Sequence, residues 1–378
     1  MANIFSKGRA ESRIFRDERA LMPEFLPDVL PHRDREIREL ADALAGTAEG
    51  RGAENLLLTG PPGTGKTSVS RYVLRELEEY SQRVVTTYIN CWELGTRHGI
   101  LAKLANAMGE ATPRRGIASD EIFDSFAEAL AKSGKSIVVV LDEVDRLFAA
   151  KHEEWRILYD LSRGNELLGA RIGLISITNN EEITAGMDAR VKSSLAQRQV
   201  KFAQYSPVQL KDILRERAKV AFLPEALDAE VVPVCAAIGA KHGGDARLAL
   251  NALWRAGKLA ERENARMVSV EHVKRVKLDV EEQKPTREEL EPRLEGLQKE
   301  IYEAVKKAGE RGHGGITSGG LYKLFDEHER VVEEHVNRLV KLGVLEAKMV
   351  ERKEESGGMR GKTRIISVRR ASTKADRS

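Results

Sequence analysis

Gly60-Pro61-Pro62-Gly63-Thr64-Gly65-Lys66-Thr67 fits the phosphate-loop pattern G-x-x-x-x-G-K-[ST] at every fixed position. Glycines let backbone N–H groups approach an anion, and a helix N-terminus adds partial positive charge. Lys66 would reach the β- and γ-phosphates of ATP or ADP. The Thr67 hydroxyl would ligate Mg²⁺, and Ser68 follows in the same cradle. A second chemical pair, Asp142-Glu143, stands about 75 residues further on. An aspartate at the end of an apolar strand can hold Mg²⁺ through water, and the glutamate after it can act as general base on the attacking water. Asn179 ends another apolar run. It could orient that water or contact the γ-phosphate; with Asn180 and Glu181 behind it, it could equally cap a helix or turn.

These residues need elements to hold them. Asn55 to Thr59 is a short apolar run typical of a buried strand. Thr67 to Tyr80 has helical spacing, with Val69, Tyr72, Val73, Leu74 and Leu77 on one face. Val84–Asn90, Ile137–Leu141 and Leu174–Asn179 read as further strands, with helices over Ile100–Met108 and Asp120–Ala131 between them. A helix over Arg33–Ala45 precedes the loop. Strands alternating with helices predict a parallel α/β sheet. Ligands of such sheets gather at the carboxyl ends of the strands, which is where Thr59, Asp142 and Asn179 would sit. Residues 1–30 are polar and marked by Pro23 and Pro27, and they read as an extended lead-in rather than a packed unit.

From Ser206 the pattern turns wholly helical: Pro207–Val220, Asp228–Ile238, Asp245–Glu261 and Ser269–Val280 have the size of a helical lid. A charged linker with Pro285 and Pro292 follows. Helices over Leu297–Ala308, Thr317–Phe325 and Glu329–Leu342 then lead to alternating strands at 343–350 and 363–368, separated by a glycine-rich tip. Three helices and a β-hairpin make a winged helix, whose helix near 329–342 would be the major-groove reader. Residues 356–378 carry seven basic side chains, among them Arg360, Lys362 and Arg364, against Asp376 alone. Such a wing suits phosphate contact, and Thr363 lies within it. Glu329, Glu333 and Glu334 would face DNA poorly, so the wing is expected to carry more of the affinity than the helix. The domain reading is an extension at 1–30, an ATPase core at 31–205, a lid at 206–284, a winged helix at 285–370 and a basic tail at 371–378.

The proline-containing phosphate loop, the Asp-Glu pair and Asn179 resemble an AAA+ ATPase. Within that superfamily the chain resembles the archaeal DNA replication initiators related to the origin recognition complex and the cell-division-cycle helicase loaders. Five stretches carry the likeness: Leu30-Pro31-His32-Arg33, Leu141 to Asp145, Ile177-Thr178-Asn179, Arg190-Val191-Lys192-Ser193-Ser194-Leu195 and Gly244-Asp245-Ala246-Arg247. With the winged helix they span roughly residues 15–370. The resemblance implies that Pro31, His32 and Arg33 line the adenine pocket. It implies that Arg190 is an arginine finger offered to a neighbouring ATP, neutralising charge on the transferred phosphoryl group. Ala189 stands where the family often has proline, which makes the loop presenting Arg190 less rigid. Arg247 would reach across the cleft to the γ-phosphate and couple nucleotide state to lid angle. The basic turn Pro113-Arg114-Arg115-Gly116 occupies the place of a family insertion that reaches DNA; it reads nearly as well as a solvated loop. Expected partners are duplex origin DNA, an MCM-type replicative helicase and other initiator subunits.

Composition sets the bounds. The 378 residues carry a net charge of +3, so any basic partner surface must be local. No apolar run approaches the ~20 residues that span a bilayer, and the N-terminus lacks the apolar core of a secretory signal. The only cysteines, Cys91 and Cys235, are isolated and suggest neither a disulfide framework nor a zinc site. A cytoplasmic, nucleoid-associated ATPase is the expectation. Two other readings stay open: another DNA-processing AAA+ ATPase, such as a clamp-loader subunit or branch-migration motor, and a nucleotide-gated winged-helix transcription regulator. Against the clamp loader, Ser193-Ser194 replaces the serine-arginine-cysteine signature of those subunits.

Overall fold

A five-stranded parallel sheet carries the chemistry of this chain. The computed structural model describes residues 12–111, 116–149, 154–164, 171–180, 183, 192–193, 195, 198–282, 291, 294, 296–309, 315–325, 329–341, 344–351 and 362–368. In chain order, α1 (Asp34–Ala48) leads to β1 (Leu56–Thr59), α2 (Lys66–Tyr80), β2 (Val84–Asn90), α3 (Arg97–Ala107), α4 (Ser119–Ser133) and β3 (Ser136–Asp142). Then come α5 (Asp145–Ala149), α6 (Arg156–Ser162), β4 (Ile172–Thr178) and β5 (Arg198–Lys201). The strand order is β2-β3-β4-β1-β5, all parallel. Every residue of β3 and β4 is buried, as expected of β-branched runs covered by helices on both faces. The register sets Asn90 opposite Asp142 and Thr59 opposite Thr178. The polar ends of four strands therefore lie level at one edge, and α2 presses Val69, Val73 and Leu74 onto the sheet beneath.

The lid follows as α7 (Pro207–Ala221), α8 (Val231–Lys241), α9 (Ala246–Arg262) and α10 (Val270–Glu282). Ser206 and Gln209 form a reciprocal capping box at the start of α7, which satisfies two otherwise orphaned N–H groups. Leu210, Leu214, Cys235, Ala249 and Leu253 make the lid core.

The N-terminal segment departs from its reading as an unpacked lead-in. Ile14, Phe15, Ala20 and Leu21 are buried in the lid core. The Phe15 ring stacks on Phe222 at 5.0 Å between centroids. Leu223 N–H donates to the Ile14 carbonyl at 3.0 Å, and Arg16 N–H donates to that of Ala221 at 2.8 Å. Gly257 of α9 leaves room for the Phe15 ring, which a Cβ there would meet at 2.3 Å. Ile14, Phe15, Ala20 and Leu21 share one apolar cluster with the lid helices.

The chain divides into two compact units at residues 278 and 279. In the second, α11 (Gly296–Ala308), β6 (Ile316–Thr317), α12 (Ser318–Tyr322), α13 (Glu329–Lys341), β7 (Leu345–Glu351) and β8 (Lys362–Val368) form a winged helix. Its antiparallel sheet has the order β6-β8-β7, over a core that includes Ile301, Tyr302, Leu321, Val336 and Ile366. The helix expected over Thr317–Phe325 is only five residues long, because Gly319 and Gly320 give it little intrinsic helicity. The expected glycine-rich tip lies outside the described residues.

Candidate nucleotide site

The turn from β1 into α2 depends on glycine at two points. Gly65 takes φ +91° as the N-cap of α2, and a Cβ there would meet the Tyr205 hydroxyl at 2.7 Å. Gly63 takes φ +74°, and a Cβ there would collide with Asp245 of the lid at 1.9 Å. Both conformations are costly for any residue with a Cβ.

Lys66 is buried beneath the loop. Its ammonium donates to the Gly60 carbonyl at 2.6 Å, the Pro61 carbonyl at 2.9 Å and Asn179 Oδ1 at 2.9 Å. Burial pulls its pKa down to about 8, against the opposing pull of Asp142. Thr67 Oγ1 donates to Asp142 Oδ2 at 2.6 Å, and the Tyr88 hydroxyl donates to the same oxygen at 2.8 Å. Burial and the Asp142 charge keep the Tyr88 phenol protonated well above its usual range, so it is a permanent donor to that carboxylate. The Arg71 guanidinium lies over the Tyr88 ring at 4.3 Å.

Glu143 holds a left-handed backbone with φ +58°, an uncommon conformation for a non-glycine residue that is concentrated at functional sites. Burial and the neighbouring Asp142 charge raise its carboxyl above the ordinary glutamate range, while a hydrogen bond from Asn90 opposes that. A raised proton affinity suits a general base. Asp145 accepts from the Thr178 hydroxyl and from Asn179 N–H; this fixes the end of β4 and with it the Asn179 amide.

One cavity collects these groups. It is lined by Pro62 to Ser68, Asn90, Asp142, Glu143 and Asn179 on the core side, and by Arg247 on the lid side. Arg247 lies at the start of α9, where Asp245 accepts from its backbone N–H at 2.8 Å and from its guanidinium at 3.3 Å. Of the three residues expected at the adenine pocket, Pro31 lines the cavity. His32 pairs instead with Asp212 at 3.0 Å. Arg33 is buried under the loop. It donates to the Thr64 carbonyl at 2.8 and 2.9 Å and to the Ala203 carbonyl at 2.9 Å, with its guanidinium 3.9 Å from the Tyr205 ring centre. It ties the phosphate loop to the strand that leads into the lid. Sequence reasoning missed Tyr88, Arg33's clamp and the part of the wall made by the N-terminal segment, including Phe25 and Leu26.

The donor set fits Mg²⁺. A hydroxyl and one carboxylate, with nucleotide phosphates and water completing the shell, is the usual way this small, hard cation is bound. Thr67 and Asp142 would hold it.

In the winged helix, Arg364 of β8 donates to Asn337 Oδ1 of α13 at 2.8 Å and is half-buried. Glu333 and Glu334 are exposed on α13. Lys362 and Thr363 lie on β8, where only their backbone is described. Arg114, Arg115, Arg190 and Arg360 lie outside the described residues.

Residues 29–175 match the family model of an AAA ATPase domain, and residues 211–278 match that of a Cdc6 AAA+ ATPase-type lid domain. The chain is 34% identical over 382 residues to ORC1-type DNA replication protein 1 of Methanosarcina acetivorans, covering 97% of this chain and 90% of that protein. It is 35% identical over 385 residues to ORC1-type DNA replication protein 1 of Aeropyrum pernix, covering 97% and 95%. The solved structure of the Aeropyrum pernix ORC1 protein in complex with DNA superposes with a TM-score of 0.70 at 34% identity, over 95% of this chain and 94% of that one.

Proposed function

Because the chain belongs to the family of ORC1-type DNA replication proteins, we propose that it is an ATP-dependent replication initiator that binds duplex origin DNA and helps recruit or load the replicative helicase. The observation that carries the ATP reading is the pair of hydrogen bonds from adjacent residues, Lys66 to Asn179 and Thr67 to Asp142. They draw the phosphate loop, the metal carboxylate and the strand-end amide around one cavity that Arg247 closes from the lid.

The proposed division of labour is as follows. Backbone N–H groups of the loop and Lys66 bind the β- and γ-phosphates, Lys66 exchanging its loop carbonyl partners for phosphate oxygens. Thr67 and Asp142 hold Mg²⁺, which neutralises phosphate charge when bound. Tyr88 donates to Asp142 and fixes its rotamer. Glu143 takes the proton of the attacking water. Asn179 orients that water or meets the γ-phosphate, and Arg247 reaches the γ-phosphate from the lid. Arg190 of a neighbouring initiator subunit would supply the remaining positive charge. An active site completed in trans makes hydrolysis by the isolated chain slow and switch-like. On the DNA side, the basic wing around Arg360 to Arg364 contacts phosphates, and Arg114 and Arg115 make a second contact from the ATPase half. The similar ORC1 protein solved with DNA supports that side of the reading. An MCM-type helicase is the proposed loading partner, and a nucleoid-associated, cytoplasmic place goes with the function. No described helix is long and apolar enough to cross a membrane.

The test is ATP binding and turnover by the parent chain, Lys66→Ala and Glu143→Gln. Lys66→Ala should lose nucleotide binding, whereas Glu143→Gln should bind ATP like the parent and not hydrolyse it. Parent-rate hydrolysis by Glu143→Gln would remove Glu143 as the base.

A further inference from the structure

Arg217 of α7 is a buried cation in the wall of the nucleotide cavity. It is 8% exposed and lines the same cavity as the phosphate loop. Its Nη1 donates to the Phe25 carbonyl at 3.2 Å, and its guanidinium stacks on the Phe25 ring at 4.9 Å. Among the described residues no carboxylate pairs with it. Glu216 also lines the wall, but it pairs with Lys219 at 2.6 Å. Burial alone acts on the guanidinium, lowering its pKa to about 10, so it stays charged at neutral pH. A guanidinium has five N–H donors and no acceptor. Burying such a charge carries a desolvation cost that one hydrogen bond and one ring contact offset only in part.

The surroundings indicate what would satisfy it. The phosphate loop occupies one part of the cavity wall. Phe25 touches Arg217, and Leu26, Pro31, Ile213 and Leu250 are apolar residues lining the same cavity. Such apolar groups beside a donor accept a heteroaromatic ring, which offers a face to the apolar groups and ring nitrogens to the donor. We propose that Arg217 is a base-reading residue, which donates a hydrogen bond to a ring nitrogen of the nucleotide's purine while Phe25 holds the guanidinium in plane. This rests on the reading of the cavity as an ATP site. It gives the N-terminal segment a role as well, since that segment, anchored in the lid core by Ile14, Phe15 and Leu21, brings Phe25 to the cavity.

The experiment compares ATP with ribose-5-triphosphate, which keeps the sugar and phosphates and lacks the base. Affinities are measured for the parent chain, Arg217→Ala and Arg217→Lys; the lysine variant keeps the charge and most of the stem but loses the planar donor fork. Both variants should lose ATP affinity on the order of 10- to 100-fold, the worth of a charged hydrogen bond, with ribose-5-triphosphate affinity unchanged. If Arg217→Ala does not fold, Arg217→Lys alone decides. Unchanged ATP affinity, or parallel losses for the two ligands, would overturn the proposal. A parent chain that fails to bind ATP would instead remove the ATP reading on which it rests.

Discussion

Asp245 of the lid lies directly against Gly63 of the phosphate loop: a Cβ on Gly63 would sit 1.9 Å from Asp245 Oδ1. The backbone continues the contact, with Ala246 N–H donating to the Gly63 carbonyl at 3.2 Å. Asp245 also caps α9 and accepts from the Arg247 guanidinium. The phosphate loop and Arg247 of the lid are thus joined through one carboxylate. On the proposed reading, a shift of the loop on nucleotide binding would be passed to the lid.

Arg247→Ala is therefore expected to weaken ATP binding roughly tenfold, as for the loss of a charged hydrogen bond, and ADP binding much less, since ADP lacks the γ-phosphate. Calorimetric titration of the variant with both nucleotides checks this. Equal losses would place Arg247 away from the γ-phosphate.

Lys66 sets a pH dependence. Burial brings its pKa to about 8 without nucleotide, and phosphate beside it favours the protonated form and raises it again. Below that point the ammonium is already formed and ATP affinity is level. Above it, binding must take up a proton, and affinity falls by up to roughly tenfold per pH unit until the pKa of the bound state is passed. Titrations across this range in buffers of different ionisation enthalpy would reveal the proton uptake. Affinity that stays level to pH values well above 8 would contradict the burial-driven shift.

Phe15→Ala removes a ring that is 6% exposed and stacked on Phe222. A loss of about 3–5 kcal/mol is expected for deleting a buried phenylalanine side chain, read as an earlier denaturant midpoint. Parent-like stability would mean that the N-terminal segment adds little to the lid.

The parts of this molecule that obey a local rule were legible in the sequence. The phosphate loop, the strand ending at Asp142, the lid helices and the winged-helix order each follow from a short pattern or a period. What escaped depends on contacts between distant residues. Ile14 and Phe15 show no period, and their burial is decided by Phe222 and Gly257, some 200 residues later. Arg33 sits in a stretch that suggested a pocket, yet its partners are the carbonyls of Thr64 and Ala203, which no spacing reveals. Tyr88 reads as one more strand residue until the register sets β2 beside β3 and its hydroxyl meets Asp142. α5 and α6 are five and seven residues long, too short to establish a period.

For DNA, replacing Arg360, Lys362 and Arg364 with alanine should weaken binding to origin and unrelated duplexes alike. It should also flatten the salt dependence, the slope falling by about 0.9 for each phosphate that the wing no longer neutralises. Arg364 is partly held by Asn337, so its share of that change should be smaller than that of Lys362 when each is replaced singly. Salt titrations of the triple variant and of the three single variants check both statements. An unchanged slope in the triple variant would move the DNA surface off the wing.

Arg114→Ala with Arg115→Ala should shorten the protected footprint on the ATPase side and leave the wing side intact. Footprinting on a single origin duplex reads the two sides separately. A parent-like footprint would return that turn to a solvated loop.

The initiator reading is tested most directly by mapping where the chain sits on its own genome, alongside the positions at which nascent strands begin. Occupancy peaks coinciding with replication start sites are the predicted result. Peaks confined to promoters, with none at the start sites, would contradict it and make the chain a nucleotide-gated transcription regulator.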